Sequence, residues 1–221
     1  MCGRFTLTLE IPALQQELGI KEVPADWQPR YNIAPSQPIP VVIDSEARRI
    51  EMLRWGLIPY WAKDASIGNK MINARAETIA EKPAYRSAFE RRRCLIVANG
   101  FYEWKKQSHG PAIPHFYYRE GEKPFAFAGL WENWVDPKGE KVRTCTIITC
   151  EANELVRAVH PRMPVMLTGD DLWRWLEGES KTELIKLLAP YEKGDLNVRQ
   201  VSTLVNRSES EGGALIHPVD G

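Results

Sequence analysis

Residues 94–106, CLIVANGFYEWKK, decide how the chain is read. Two strand-like runs, CLIVA and FYEWKK, flank Asn99-Gly100, the residue pair that most favours the positive backbone torsions of a tight two-residue turn. The segment therefore reads as a β-hairpin. Along its second arm side chains alternate between faces, which puts Glu103 opposite Tyr102 and Trp104. A solvent-facing strand carboxylate is the ordinary explanation of such a residue.

Working outward, residues 82–93 read as a helical piece. Farther upstream PVVID (40–44) and RRIEMLRW (48–55) read as two strands paired across a Ser45–Ala47 turn. Residues 54–70, RWGLIPYWAKDASIGNK, mix aromatics with Gly and Pro and show no period, so they read as a surface loop carrying exposed rings. Ile11, Leu14 and Leu18 lie on one helical face with Gly19 as a stop, and residues 20–37 read as loop. Downstream, strands are expected at PHFYYRE, PFAFAGLW, VRTCTIITC and NVRQVS, and short helices at ANELVRAVH, DDLWRWLEG and TELIKLLAP. No βαβ alternation, repeat or dividing linker is visible. The pattern predicts one α+β domain over residues 1–221, with mainly antiparallel pairing.

Length and charge narrow the function. The 221 residues are 43% apolar, enough for one sizeable core. Twenty-nine basic and twenty-nine acidic side chains cancel, so no global positive field holds duplex DNA, and any nucleic-acid contact is local. The first twenty residues lack a long apolar run, which argues against a signal peptide or membrane span and for a cytoplasmic protein. Without heptads there is no reason to invoke assembly, and a monomer is expected. The cysteines at 2, 94, 145 and 150 form no CxxC and have no histidine at ligand spacing, so no metal or other cofactor is implied. Three of them sit in apolar runs and read as small buried hydrophobes.

Cys2 is different, because it follows the initiator directly and lies outside any periodic segment. Removal of Met1 would leave an α-amine and a thiol on one residue. The amine, with a pKa of roughly 7.7 to 8, attacks aldehydes, and the thiol then closes a five-membered thiazolidine. The ring-opened sugar of an abasic site presents such an aldehyde. From the terminus alone, an incidental residue after the start codon is the better explanation of Cys2.

Taken together, MCGRF, RYNIAPSQ, RWGLIPYWA, INARAET, RCLIVANGFYEWKK, AVHPRMPVML and the closing ALIHPV resemble, in order and over nearly the whole chain, the SRAP family of SOS response-associated peptidases. The resemblance implies curved antiparallel sheets forming a barrel-like core flanked by short helices. It also implies a positively charged channel for single-stranded DNA and a cross-link made by the terminal cysteine at abasic sites. By motif, Cys2 would be the nucleophile, Asn73 would position it or the sugar, and Glu103 and His160 would move protons. For DNA the resemblance points to Arg4, Asn32, Pro35, Trp55, Trp61, Arg75, Thr149 and Arg162. Only Val97 departs from the pattern, standing where proline is common.

Each of these residues has a plainer reading. His160 could cap a helix end, Asn73 could cap a helix starting near Arg75, and either tryptophan could be core. Two other functions also fit the motifs: a thiol autoprotease acting through Cys2, with only Met1 ahead of it to remove, and a passive single-strand binding module.

Overall fold

The computed structural model describes residues 2–219. In chain order the strands are β1 (Phe5–Leu7), β2 (Arg30–Ile33), β3 (Pro38–Val42), β4 (Glu51–Trp55), β5 (Asn73–Arg75), β6 (Arg93–Ala98), β7 (Gly100–Lys105), β8 (Ile113–Arg119), β9 (Phe125–Val135), β10 (Lys141–Glu151), β11 (Arg162–Pro164), β12 (Met166–Leu167) and β13 (Leu196–Gln200). The α-helices are short: α1 (Ile11–Leu18), α2 (Arg86–Arg91), α3 (Glu154–Arg157), α4 (Asp170–Glu177) and α5 (Lys181–Lys186). Among the described residues, no helix is long and apolar enough to cross a membrane.

Five strands close into a ring, β10–β4–β3–β6–β9 and back to β10, and a second sheet runs β13–β8–β7–β1–β2. The α+β architecture with a barrel core is therefore the one expected. β3 and β4 pair antiparallel as expected, with Val41 opposite Glu51. The mainly antiparallel reading needs one amendment, since β4 and β5 both run parallel to β10. Apolar runs such as CLIVA and FAFAGL belong to ring strands buried on both faces, which is why they are continuous rather than alternating. The core is shared between ring and sheet. Phe5 of β1 packs edge-on against Trp55 of β4 and Phe127 of β9, with ring centroids 5.3 and 5.6 Å apart. Arg93 fastens the flanking helices by donating to the Phe89 and Glu90 carbonyls of α2 and to those of Trp175, Leu176 and Gly178 at the end of α4.

The expected hairpin at Asn99-Gly100 is not formed. β6 pairs with β3 and β9, whereas β7 pairs with β1 and β8, so the chain crosses from ring to sheet at Asn99. Both residues are present for packing reasons. The Asn99 side chain bridges to Thr6 Oγ1 and the Thr8 amide and donates to Thr8 Oγ1 at 2.7 Å. Gly100 lies where a Cβ would fall 2.2 Å from Cζ of Phe116, so the missing side chain, rather than a positive φ, selects glycine. The helix expected over 82–93 is also shorter, with α2 confined to Arg86–Arg91.

Candidate active site

The crossing at Asn99 places β7 beside β1, the strand that Cys2 leads into. Phe5 sits opposite Phe101, so the terminal segment lies in the interior of the second sheet. Cys2 is fully buried, with Sγ 3.9 Å from the Arg4 carbonyl oxygen. Asn73 starts β5, which is held parallel to β10 with Asn73 opposite Ile147, and this fixes the amide next to the terminus. Its Nδ2 donates to the Cys2 carbonyl at 2.8 Å, and its own carbonyl accepts from the Tyr85 hydroxyl at 3.4 Å. Burial pushes the Tyr85 phenol up to about 12, so it stays a donor. The Asn73 Oδ1 is buried and has no hydrogen-bond partner among the described residues. A buried acceptor left unmet costs about 1–3 kcal/mol. The helix-capping reading of Asn73 does not hold.

Glu103 is 3% exposed, so its solvent-facing explanation is corrected. Alternation misleads here because both faces of β7 are covered. Tyr102 packs on the opposite face against Phe116, Val201, Val205, Leu215 and Ile216 of a carboxy-terminal strap. Burial raises the Glu103 carboxyl from its ordinary 4.5 to about 7. The Cys2 thiol is pushed far above its usual range, first by burial and then by the Glu103 charge, and Tyr117 is raised for the same two reasons. Glu103 is therefore within electrostatic reach of both, and the resting sulfur is a neutral thiol.

His160 lies beyond α3, with its amide donating to the Val156 carbonyl at 2.9 Å. Its Nδ1 is 3.0 Å from the Arg162 amide nitrogen and 3.1 Å from the Arg162 carbonyl oxygen. The neutral ring accepts from that N–H and the imidazolium donates to that C=O, so one nitrogen has a partner in either protonation state. This suits a group that gains and loses a proton. Burial lowers its pKa, with the Lys106 and Arg162 charges adding to this against a hydrogen bond to the Arg162 backbone that raises it, so the neutral ring is favoured. A groove of about 350 Å³ lined by Trp104, Lys105, Lys106, Val159, His160 and Pro161 joins it to the residues that follow Glu103.

The residues expected to hold DNA separate into two groups. Arg75 is exposed at the end of β5, Pro35 is half-buried, and Trp61 is 50% exposed in its loop, all open to a ligand. The others are engaged internally. Trp55 is wholly buried with Nε1 donating to the Ile72 carbonyl at 2.8 Å, so base stacking by its ring is corrected to a core role. Thr149 is buried and donates to the Ala74 carbonyl at 3.3 Å. Arg4 donates to Asn32 Oδ1 at 2.6 Å and to the Val205 carbonyl at 2.7 Å, and the buried Asn32 amide donates to the carbonyls of Arg207 and Ser210. These two residues bind the carboxy-terminal strap onto β1 and β2. Arg162 is mostly shielded, with its guanidinium on Glu77 and Thr149. Glu77, Tyr85 and Tyr117 were not foreseen. The only sequence signal for Glu77 is its place in INARAET.

Comparison with known proteins follows the same outline. The family described as SOS response associated peptidase (SRAP) matches residues 1–208. The chain is 45% identical over 221 aligned residues to the abasic site processing protein YoqW of Bacillus subtilis strain 168, spanning 98% of this chain and 99% of that one. It is 32% identical to the abasic site processing protein HMCES of Xenopus tropicalis, spanning 95% of this chain and 76% of the relative. A crystal structure of a Bacteroides thetaiotaomicron protein superposes with a TM-score of 0.88 at 24% identity, over 99% of this chain and 100% of that one, and shares its fold. A Bordetella bronchiseptica protein does so with a TM-score of 0.81 at 25% identity, over 91% of this chain and 100% of that one. The chain belongs to the SOS response associated peptidase (SRAP) family.

Proposed function

We propose that the protein processes abasic sites in single-stranded DNA by capturing the ring-opened sugar on Cys2 as a thiazolidine, after removal of Met1. The observation that carries this reading is Asn73. One end of its amide holds the Cys2 carbonyl at 2.8 Å while the other is a buried acceptor without a partner among the described residues. An α-amine on Cys2 or a hydroxyl of the sugar supplies the donor it lacks. The names of relatives 45% and 32% identical support the substrate.

The chemistry follows from protonation states. Opening the furanose moves a proton onto the ring oxygen and takes one from the anomeric hydroxyl. Glu103, at about 7, is present in both forms near neutral pH and serves either transfer, with the neutral His160 as its complement. Because the thiol is held protonated, the amine attacks the aldehyde first. The resulting carbinolamine loses water to give a protonated Schiff base. The sulfur then adds to that carbon while its proton passes to a base, and one water is released overall. Asn73 holds the nucleophile in place without competing for the aldehyde. Trp61, Pro35 and Arg75 are the accessible groups for flanking nucleotides, by stacking and by charge.

Cys2→Ser tests the order of steps. The variant keeps the amine but lacks the sulfur, and should give an adduct to an abasic oligonucleotide on denaturing gels only after borohydride reduction. An adduct from Cys2→Ser as stable as wild type would remove the thiazolidine from the account.

A further inference from the structure

A cavity of about 490 Å³ opens between α3 and the start of β13, and none of the residues assigned to the chemistry lines it. Leu155, Ala158, Tyr191 and Leu196 give it apolar walls. Its floor is held by a closed set of hydrogen bonds. The buried Asn153 side chain accepts from the Val156 amide at 3.0 Å and donates to the Tyr191 carbonyl at 2.7 Å. The Tyr191 hydroxyl donates to Asp195 Oδ1 at 2.8 Å, and Asp195 Oδ2 meets Arg119 at 2.8 Å. With these groups satisfied by one another, the cavity is shaped before anything enters it, which lowers the cost of binding. Two exposed carboxylates, Glu154 and Glu192, stand in the lining, and no cation there balances them.

The same place is an open sheet edge. β13 ends the second sheet, with β8 as its neighbour. The Asp195 carbonyl accepts from the Glu120 amide and the Val201 amide donates to the Pro114 carbonyl, so the odd-numbered residues of this stretch bond to β8. The N–H and C=O of Leu196 and Val198 therefore point outward. Farther along, the edge already takes a strand: Pro218 bridges Val201 antiparallel, and the Val219 amide donates to the Gln200 carbonyl at 3.3 Å.

We propose that this cavity and the β13 edge form a docking site for an extended, basic segment of a partner protein. The segment pairs its main chain with Leu196 and Val198, seats an apolar side chain against Leu155 and Tyr191, and sets lysine or arginine against Glu154 and Glu192. Main-chain bonds give such strand addition its affinity, and the pocket gives it selectivity. The charge decides the class of occupant, because two carboxylates repel a phosphate backbone and attract a cationic peptide. Ala158 lines both this cavity and the groove of Lys105, Lys106 and His160, so a docked partner lies beside that groove. The proposal does not depend on what Cys2 does.

The test uses full-length protein and the labelled octapeptide Lys-Val-Val-Lys-Lys-Val-Val-Lys, which shows both residue types on each face of an extended chain. One control has glutamate for lysine and another has serine for valine. Fluorescence anisotropy at low salt gives the affinities, and backbone amide shifts locate the site. The Lys-Val peptide should bind wild type at least about fivefold tighter than either control, as loss of buried apolar groups or of charge attraction requires. The Leu196 and Val198 amide signals should shift. Glu154→Lys combined with Glu192→Lys should weaken the Lys-Val peptide by about 2- to 30-fold or more, the range that two exposed ion pairs span, and turn the preference toward the Glu-Val peptide. If the reversed protein does not fold, Glu154→Gln combined with Glu192→Gln replaces it and should bind the two charged peptides alike.

Absence of binding overturns the proposal, and so does equal binding of the Lys-Val and Lys-Ser peptides, which would reduce the contact to charge alone. A preference unchanged by the glutamate variants, or amide shifts confined to the groove of Lys105 and Lys106, overturns it as well.

Discussion

Replacing Glu103 by glutamine should make the protein more stable at alkaline pH while disabling it. The side chain is 3% exposed, and burial raises its pKa from 4.5 to about 7. A carboxyl that binds its proton more tightly folded than unfolded contributes stability that is complete below the unfolded pKa. That contribution is lost as pH rises through the folded one. The window is therefore pH 4.5 to 7. A shift of 7 − 4.5 = 2.5 units, at about 1.36 kcal/mol each, gives about 3 kcal/mol lost by pH 8. Glutamine has nearly the same shape and no charge to desolvate, so it should escape the loss. The assay is urea or thermal unfolding of both proteins at pH 4.5 and pH 8, taking the difference of differences so that groups common to both cancel. The variant should gain about 3 kcal/mol relative to wild type over that interval, or about 6–12 °C in Tm for a chain of this size. Cross-linking by the variant should fall by about 10²-fold or more. A wild-type-to-variant difference that is the same at both pH values would refute the claim that the buried carboxyl is held near neutrality.

Asn73→Ala should slow adduct formation by about 10- to 100-fold while changing stability by only about 1 kcal/mol, since a buried unmet acceptor is removed together with one useful bond. Single-turnover kinetics beside urea titration checks it. Trp55→Ala should cost about 3–5 kcal/mol in unfolding free energy, as a buried ring with a bonded indole nitrogen would. Trp61→Ala should leave stability within about 0.5 kcal/mol and weaken single-stranded DNA binding by about 1–3 kcal/mol. Gly100→Ala should destabilise by about 1–3 kcal/mol through its clash with Phe116, and trimming Phe116 to leucine should recover part of the loss.

The parts of the fold legible in the sequence were those decided locally. The β3–β4 pairing followed from two apolar runs around a polar turn, and α1 from Ile11, Leu14 and Leu18 ending at Gly19, whose φ of +64° only glycine adopts freely. Asn99-Gly100 was misread because two physical demands select the same dipeptide. A tight turn wants positive φ, whereas this crossing wants an amide for Thr6 and Thr8 and no Cβ beneath Phe116. Glu103 was misplaced because alternation reports burial only when one face is wet, and the strap from Val201 to Ile216 dries the other. That strap also explains Arg4 and Asn32, whose partners lie more than 170 positions away. No local rule draws Cys2, Asn73 and Glu103 together; the ordered motifs of the family do. Motif matching names residues without separating exposed from buried ones, which is why the buried Trp55 and Thr149 stood beside the exposed Trp61 and Arg75.

Intact mass spectrometry tests the central claim most directly. Wild type and Cys2→Ala are weighed before and after incubation with a single-stranded oligonucleotide bearing one abasic site. The account predicts a wild-type mass lacking Met1, then a stable species heavier by the oligonucleotide less one water, and no such species from the variant. A Met1-free wild type that binds the oligonucleotide without that adduct, or a Cys2→Ala that forms it equally well, would contradict covalent capture through Cys2.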